Sequence, residues 1–220
     1  MIKSVIFDMD GVLLNTESVA WRAWKKIFLE LGYTLSDELY LAMIGRNVPD
    51  SSVILETAMG SDFPVETCRD RANSLYQELL DTEGVPLKPG CIELLDFLQE
   101  RSITMAIATS TPRSLAMHKI ESAGLVPWFR TIIAGDDVAK GKPSPELFLA
   151  AAQRISSRPE QCIVLEDSPP GIKAAYAAHM VPVMVPDLIQ PDQEIQQLVH
   201  AIVPSLQGAK KLIAEMLAVA

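Results

Sequence analysis

Apolar and polar positions along the chain follow one pattern before residue 88 and another after it. In the run Ser4-Val5-Ile6-Phe7, β-branched and aromatic residues follow the serine and stop at Asp8, the pattern of a buried strand. Helical stretches then follow one another without an intervening strand. Glu17 to Leu31 places Trp21, Trp24, Phe28 and Leu31 at helical spacing and stops at Gly32. Ser36 to Ile44 ends at Gly45, and Asp50 to Met59 ends at Gly60. Pro64 to Leu80 repeats Val65, Cys68, Ala72, Leu75 and Leu79 in the manner of a helix packed on another helix. The Met and aromatic stripes of these stretches are core positions by default. Gly84, Pro86, Pro89 and Gly90 then mark a linker.

From Cys91 onward helix and strand alternate. Helices are expected over 92–100, 112–123, 145–155 and 170–178, and strands over 103–109, 131–134, 162–166 and 181–185. A last strand is expected at 200–203, and a last helix from Gln207 to Leu217. Such alternation predicts a parallel sheet with crossover helices. The expected fold is therefore α/β. A Rossmann-like parallel sheet core comes from residues 1–14 and 88–220, with an inserted all-helical cap domain over 15–87.

Chemistry concentrates at the strand ends. Asp8 and Asp10 leave the first strand on the same side if extension persists, and Gly11 lets the backbone turn sharply. Thr109-Ser110-Thr111-Pro112 ends the next strand, with Thr111 a natural N-cap and Pro112 fit for the first helical position. A hydroxyl and free N–H groups at a helix N-terminus form an anion site. Lys142 precedes Pro143 and a helix start built from Ser144, Pro145 and Glu146, where the helix dipole does not favour a cation. An anionic partner for Lys142 is the expectation, with Lys140 the solvent-exposed neighbour. Glu166-Asp167 ends the apolar run Cys162-Ile163-Val164-Leu165, and adjacent carboxylates there are costly unless solvated or metal-bound. Each feature alone also fits a capped helix or a solvated turn; their shared order and placement is what sets them apart.

Together these motifs resemble those of the haloacid dehalogenase superfamily, in particular its phosphatases with a helical cap and its β-phosphoglucomutase-like subfamily. The resemblance covers essentially the whole chain. It implies a Mg²⁺-dependent hydrolysis of a small phosphate monoester, a sugar or polyol phosphate, through an aspartyl-phosphate. Asp8 would be the nucleophile and Asp10 the general acid and base. Thr109, the Ser110 N–H and Lys142 would hold phosphate oxygens. Asp8, the backbone carbonyl of Asp10 and Asp167 would hold Mg²⁺ directly, and Glu166 through water. Arg46 and Asn47, in the first turn between cap helices, are the candidates for substrate recognition.

Composition narrows the partners. A formal charge of −9 argues against nucleic acid or an anionic membrane, so the expected partner is a small phosphorylated metabolite. No apolar stretch reaches the roughly 18 residues a membrane helix needs. With the first strand expected from Ser4, no signal peptide is expected. The three cysteines, Cys68, Cys91 and Cys162, are far apart and read as reduced core thiols of a cytoplasmic protein. Oligomeric state stays open, with a monomer compatible with the sequence.

Alternatives within the resemblance are weighed residue by residue. Asp10 speaks against dehalogenation, which does not use the second acid. No lysine lies between Lys26 and Lys88, which speaks against phosphonate cleavage through a Schiff base. The first thirty residues resemble the mutase, including Arg22-Ala23-Trp24, yet Ala20 stands where the mutase carries a cap histidine and, by ungapped counting, Ala72 near its cap lysine, with Arg46, Arg69 and Arg71 left as the cap residues that could substitute. A non-catalytic binding module would have lost Asp8 or Asp10, and both are present. One departure from the family pattern is His179, where a glycine usually ends the helix. His tolerates positive φ better than most residues, so a structural, left-handed helix end is expected there.

Overall fold

Buried apolar strands and their crossover helices build one parallel sheet in the computed structural model, which describes residues 2–44, 48–60 and 62–218. Arg46 and Asn47, the candidates for substrate recognition, lie outside the described residues. The strands are β1 (Ser4–Phe7), β2 (Thr104–Ala108), β3 (Ile132–Ile133), β4 (Cys162–Glu166), β5 (Val181–Met184) and β6 (Ala201–Ile202). Their order is β3-β2-β1-β4-β5-β6, with every neighbouring pair parallel. Chain order reverses at β1, so a crevice opens beyond the C-terminal ends of β1 and β4, the place where open α/β sheets bind ligands. Register decides which residues stand there. Phe7 is level with Ile107 on one side and Leu165 on the other. Asp8 consequently leaves β1 beside the exit of β4, and its N–H donates to the Leu165 carbonyl at 2.9 Å.

The helices are α1 (Thr16–Glu30), α2 (Asp37–Met43), α3 (Val48–Met59), α4 (Val65–Glu83), α5 (Cys91–Glu100), α6 (Arg113–Ser122), α7 (Glu146–Arg154), α8 (Pro169–Ala177), α9 (Gln193–Leu198) and α10 (Leu206–Ala218). Tertiary contacts divide the chain into two compact units, Met1–Asn15 with Pro86–Ala220, and Thr16–Val85. In the first unit, Ile6, Ala106 and Val164 of the sheet pack with Leu147, Phe148 and Ala151 of α7 and with Ala174 and Ala175 of α8. The small residues let the helices approach the sheet closely, while Phe148 fills the space between; truncating such a buried Phe costs about 3–5 kcal/mol. Where the chain leaves and re-enters this unit, the two segments run side by side. Leu14 bridges Leu87 antiparallel, the Asn15 N–H donates to the Pro86 carbonyl at 2.8 Å, and the Lys88 N–H to Leu13 at 2.9 Å.

The second unit is helical and has its own core. Ala23, Ile27 and Phe28 of α1 meet Leu55 of α3 and Cys68, Ala72 and Leu75 of α4, closed by Leu35 and Phe63 from the connections. Phe63 stacks at 5.1 Å from Phe28 and edge-on at 4.8 Å from Tyr33. Ser36 caps α2 by accepting the Leu39 N–H at 3.1 Å.

Several local expectations shift. Leu80 is the fully buried residue near the end of α4, where the heptad pattern points to Leu79. Helices α6 and α7 begin one residue later than the cap chemistry suggests, with Pro112 and Pro145 at their N-caps and no side-chain cap on either. Thr111 is thereby released from capping. Helix α9 is short and buries one residue, Ile195, so its periodicity is invisible; Asp192 caps it by accepting the Ile195 N–H at 2.9 Å. His179 does adopt φ 57°, and behind it the Met180 N–H returns to the Ala175 carbonyl at 3.2 Å, closing α8. All three cysteines are buried and free, and burial pushes their thiols up to about 11 for Cys68 and Cys162 and about 12 for Cys91. No helix among the described residues is long and apolar enough to cross a membrane.

Candidate active site

Two strand exits and one loop bring Asp8, Lys142, Glu166 and Asp167 together. Asp8 follows β1, Glu166 ends β4 and Asp167 follows it, and one carboxylate oxygen from each lies within 4.8 Å of the other two. The Lys142 side chain, carried by the loop before α7, is 6% exposed, and its ammonium sits in the midst of them. It pairs with Asp8 Oδ1 and donates to Glu166 Oε1 at 2.6 Å. The anionic partner expected for Lys142 is thus a pair of protein carboxylates, and Lys140 is exposed.

Glu166 is the most completely satisfied of the acids. Its Oε2 accepts the Ser168 N–H at 2.6 Å and the Ser168 hydroxyl at 2.9 Å, while Oε1 takes Lys142. Gly171 in the first turn of α8 makes room for it: a Cβ there would stand 1.7 Å from Oε1. Gly11, with φ +84°, does the same for Asp167, whose Oδ2 would meet an added Cβ at 2.3 Å.

Electrostatics follow from burial and crowding. Burial pushes the Asp8 carboxyl up to about 7, with Lys142 pulling it down and Glu166 and Asp10 adding to the rise. Burial also raises Asp167 well above the usual carboxylate range, reinforced by Glu166 and Asp8. For Lys142 burial acts downward, and the Asp8 and Glu166 charges outweigh it, so its proton is held more tightly than usual. Three carboxylates against one buried ammonium leave an excess of negative charge, on oxygen donors only. That donor set fits a hard divalent cation such as Mg²⁺.

Asp10 stands apart from this cluster. Its Oδ2 accepts the Thr111 hydroxyl at 2.8 Å, and its Oδ1 the Lys119 ammonium at 2.8 Å. Neither donor is legible in the motifs: Thr111 reads as a helix cap, and Lys119 as an ordinary basic residue near the end of α6. Thr109 is buried, and its Oγ1 accepts the Thr111 N–H at 3.1 Å, which leaves its own O–H free to donate. Ser110 is exposed beside it. Gly135 packs on this turn so closely that a Cβ would lie 2.2 Å from the Ser110 carbonyl oxygen. A separate cavity of about 810 Å³ is lined by Arg113, Phe129, Arg130 and Arg154 along β3. No carboxylate of the cluster lines it, so convergent chemistry and not cavity size marks the site.

The family model described as haloacid dehalogenase-like hydrolase matches residues 5–185. The chain is 32% identical over 177 residues to the phosphorylated carbohydrates phosphatase of Thermotoga maritima, covering 80% of this chain and 82% of that protein. It is 31% identical over 204 residues to hexitol phosphatase A of Escherichia coli, covering 91% of each. Among solved structures, β-phosphoglucomutase of Clostridium difficile superposes with a TM-score of 0.72 at 26% identity, covering 98% of this chain and 96% of that one.

Proposed function

The chain belongs to the haloacid dehalogenase-like hydrolase family, and from that premise we propose that it is a phosphatase that hydrolyses a sugar or polyol phosphate through an aspartyl-phosphate. The observation that carries the proposal is the convergence of Asp8, Lys142 and Asp167 at the β1–β4 crevice, with Asp10 two residues from Asp8. The names of the relatives, a phosphatase of phosphorylated carbohydrates and a hexitol phosphatase, supply the substrate class.

Asp8 attacks the phosphorus of the bound monoester, and the bond from phosphorus to the ester oxygen breaks. Asp10 gives the departing oxygen its proton. In the second step Asp10 takes a proton from water as that water attacks phosphorus, and the bond to Asp8 breaks to return its carboxylate and release inorganic phosphate. Lys142, the Thr109 hydroxyl and the Ser110 N–H hold the non-bridging oxygens through both steps, and most of the acceleration comes from this positioning and charge stabilisation. Asp8, Asp167 and the backbone carbonyl of Asp10 would hold Mg²⁺, with Glu166 acting through water, because Lys142 and Ser168 already engage both Glu166 oxygens. The ion supplies the positive charge that lets a phosphate approach buried carboxylates. The helical unit, Thr16–Val85, is assigned the selection of the leaving group, with Arg46 and Asn47 as its recognition residues.

A panel of three- to six-carbon sugar and polyol phosphates, incubated with the protein and Mg²⁺, tests the proposal. Phosphate release that disappears in Asp8→Asn is the expected result; no release from any ester would overturn it.

The likeness to β-phosphoglucomutase supports a second reading, transfer between two sugar hydroxyls. Ala72, near the position of the mutase lysine by ungapped counting, is fully buried in the helical core, and we take this to favour water as the acceptor. Supplying β-glucose 1-phosphate, Mg²⁺ and a trace of glucose 1,6-bisphosphate separates the two. Rapid glucose 6-phosphate formation with little free phosphate would establish the mutase.

A further inference from the structure

Lys119 lies outside every motif at the strand ends, yet it is 4% exposed and its ammonium is 2.8 Å from Asp10 Oδ1. A lysine near the end of a ten-residue helix ordinarily reaches solvent, where the helix dipole already favours it. Burying an ammonium is costly unless it is paired and hydrogen-bonded. The apolar alternatives at such a position, Met or Leu, would avoid that cost. Lys119 points inward to Asp10, and the Thr111 hydroxyl, from the turn that leads into the same helix, takes the other carboxylate oxygen at 2.8 Å. A carboxylate gripped at both oxygens has its plane fixed; held at one, it swings about its side-chain torsions.

We propose that Lys119 is a positioning residue for Asp10: with Lys119 on Oδ1 and the Thr111 hydroxyl on one lone pair of Oδ2, the plane of the carboxyl group is fixed and the second lone pair of Oδ2 is left to carry the proton that passes to the leaving oxygen. The inference rests on the phosphatase reading and deepens it. Proton transfer requires heavy atoms about 2.6–3.2 Å apart, and a misplacement near 1 Å costs on the order of 100-fold. The loss falls where a proton is most needed. An alkyl leaving group departs poorly as an alkoxide, whereas nitrophenolate departs unaided.

The test is kcat/KM across a series of phosphate monoesters, from p-nitrophenyl phosphate to simple alkyl phosphates, because this parameter reports the steps through phosphoryl transfer to Asp8. Lys119→Met is expected to lose about 100-fold on the alkyl esters while p-nitrophenyl phosphate is little changed, so the dependence on leaving-group basicity steepens. Lys119→Arg restores the shallow dependence, Asp10→Asn reproduces the steep one, and adding Lys119→Met to Asp10→Asn costs nothing further. If Lys119→Met does not fold, Lys119→Gln is measured in its place under the same criteria. An equal loss on every ester, or a further loss in the Asp10→Asn background, would overturn the role of Lys119 and leave the phosphatase reading standing. A wild-type protein that releases phosphate from no ester in the series would overturn both.

Discussion

Gly11 and Asp167 occupy space that only a glycine leaves open: a Cβ on residue 11 would stand 2.3 Å from Asp167 Oδ2. The same glycine turns the backbone at φ +84° directly after Asp10. One atom therefore separates the turn that delivers the second aspartate from the carboxylate offered to the metal. Gly11→Ala is expected to destabilise the fold by about 1–2 kcal/mol from the left-handed backbone alone. It should also displace Asp167, so that the Mg²⁺ concentration giving half-maximal activity rises at least tenfold. Thermal melts and Mg²⁺ titrations of activity measure the two effects separately, and an unchanged Mg²⁺ requirement would contradict the contact.

Burial raises Asp8 to about 7 and also raises Asp167, so the folded, metal-free chain binds protons that the unfolded chain has released. The sign follows from linkage. The Asp8 contribution is fully present below the ordinary carboxylate pKa near 3.9 and is lost as pH rises through about 7, and that of Asp167 is likewise lost as pH rises above the ordinary carboxylate range. Asp8→Asn removes the Asp8 part of this dependence, so its melting temperature in EDTA should gain on the wild type from pH 5 to about pH 7 and level off above it. Parallel curves would contradict the assignment.

Mg²⁺ competes with those protons. Its stabilisation of the wild type, read as the rise in melting temperature, should be larger at pH 8 than at pH 5. Exhaustive chelation should abolish phosphatase activity and readdition of Mg²⁺ should restore it. Full activity without metal would remove the cation from the account.

Lys142→Met leaves Asp8 and Glu166 as neighbouring buried carboxylates without their shared ammonium. Breaking a buried ion pair in this way costs about 3–5 kcal/mol. Turnover should be lost as well, because no other buried cation among the described residues contacts Asp8. Circular dichroism and phosphate release at matched temperature report both losses.

What the sequence disclosed depended on how local each signal was. The β1 and β4 runs are uninterrupted apolar stretches ended by an acid, and both strands stop within a residue of where the pattern predicts. His179 was legible because a helix end that normally takes glycine constrains φ whatever surrounds it. Thr111 was misleading: a threonine before proline at a strand exit has the chemistry of a cap, and only the fold shows its hydroxyl turned to Asp10. Lys119 carried no signal, since its role arises when α6 is packed so that residue 119 comes beside residue 10. The partners of Lys142 were hidden in the same way, because the ladder that sets β1 beside β4 brings Asp8 and Glu166 to one ammonium.

The most direct measurement of the central claim, that Asp8 carries the phosphoryl group, is borohydride trapping during turnover. An acyl phosphate at Asp8 is reduced to homoserine, which peptide mass spectrometry locates by residue. The account predicts homoserine at position 8 in samples quenched while phosphate is being released, and none when the substrate is omitted. Phosphate release in the same samples with position 8 still aspartate at every time point, or with the reduced residue elsewhere, would contradict it.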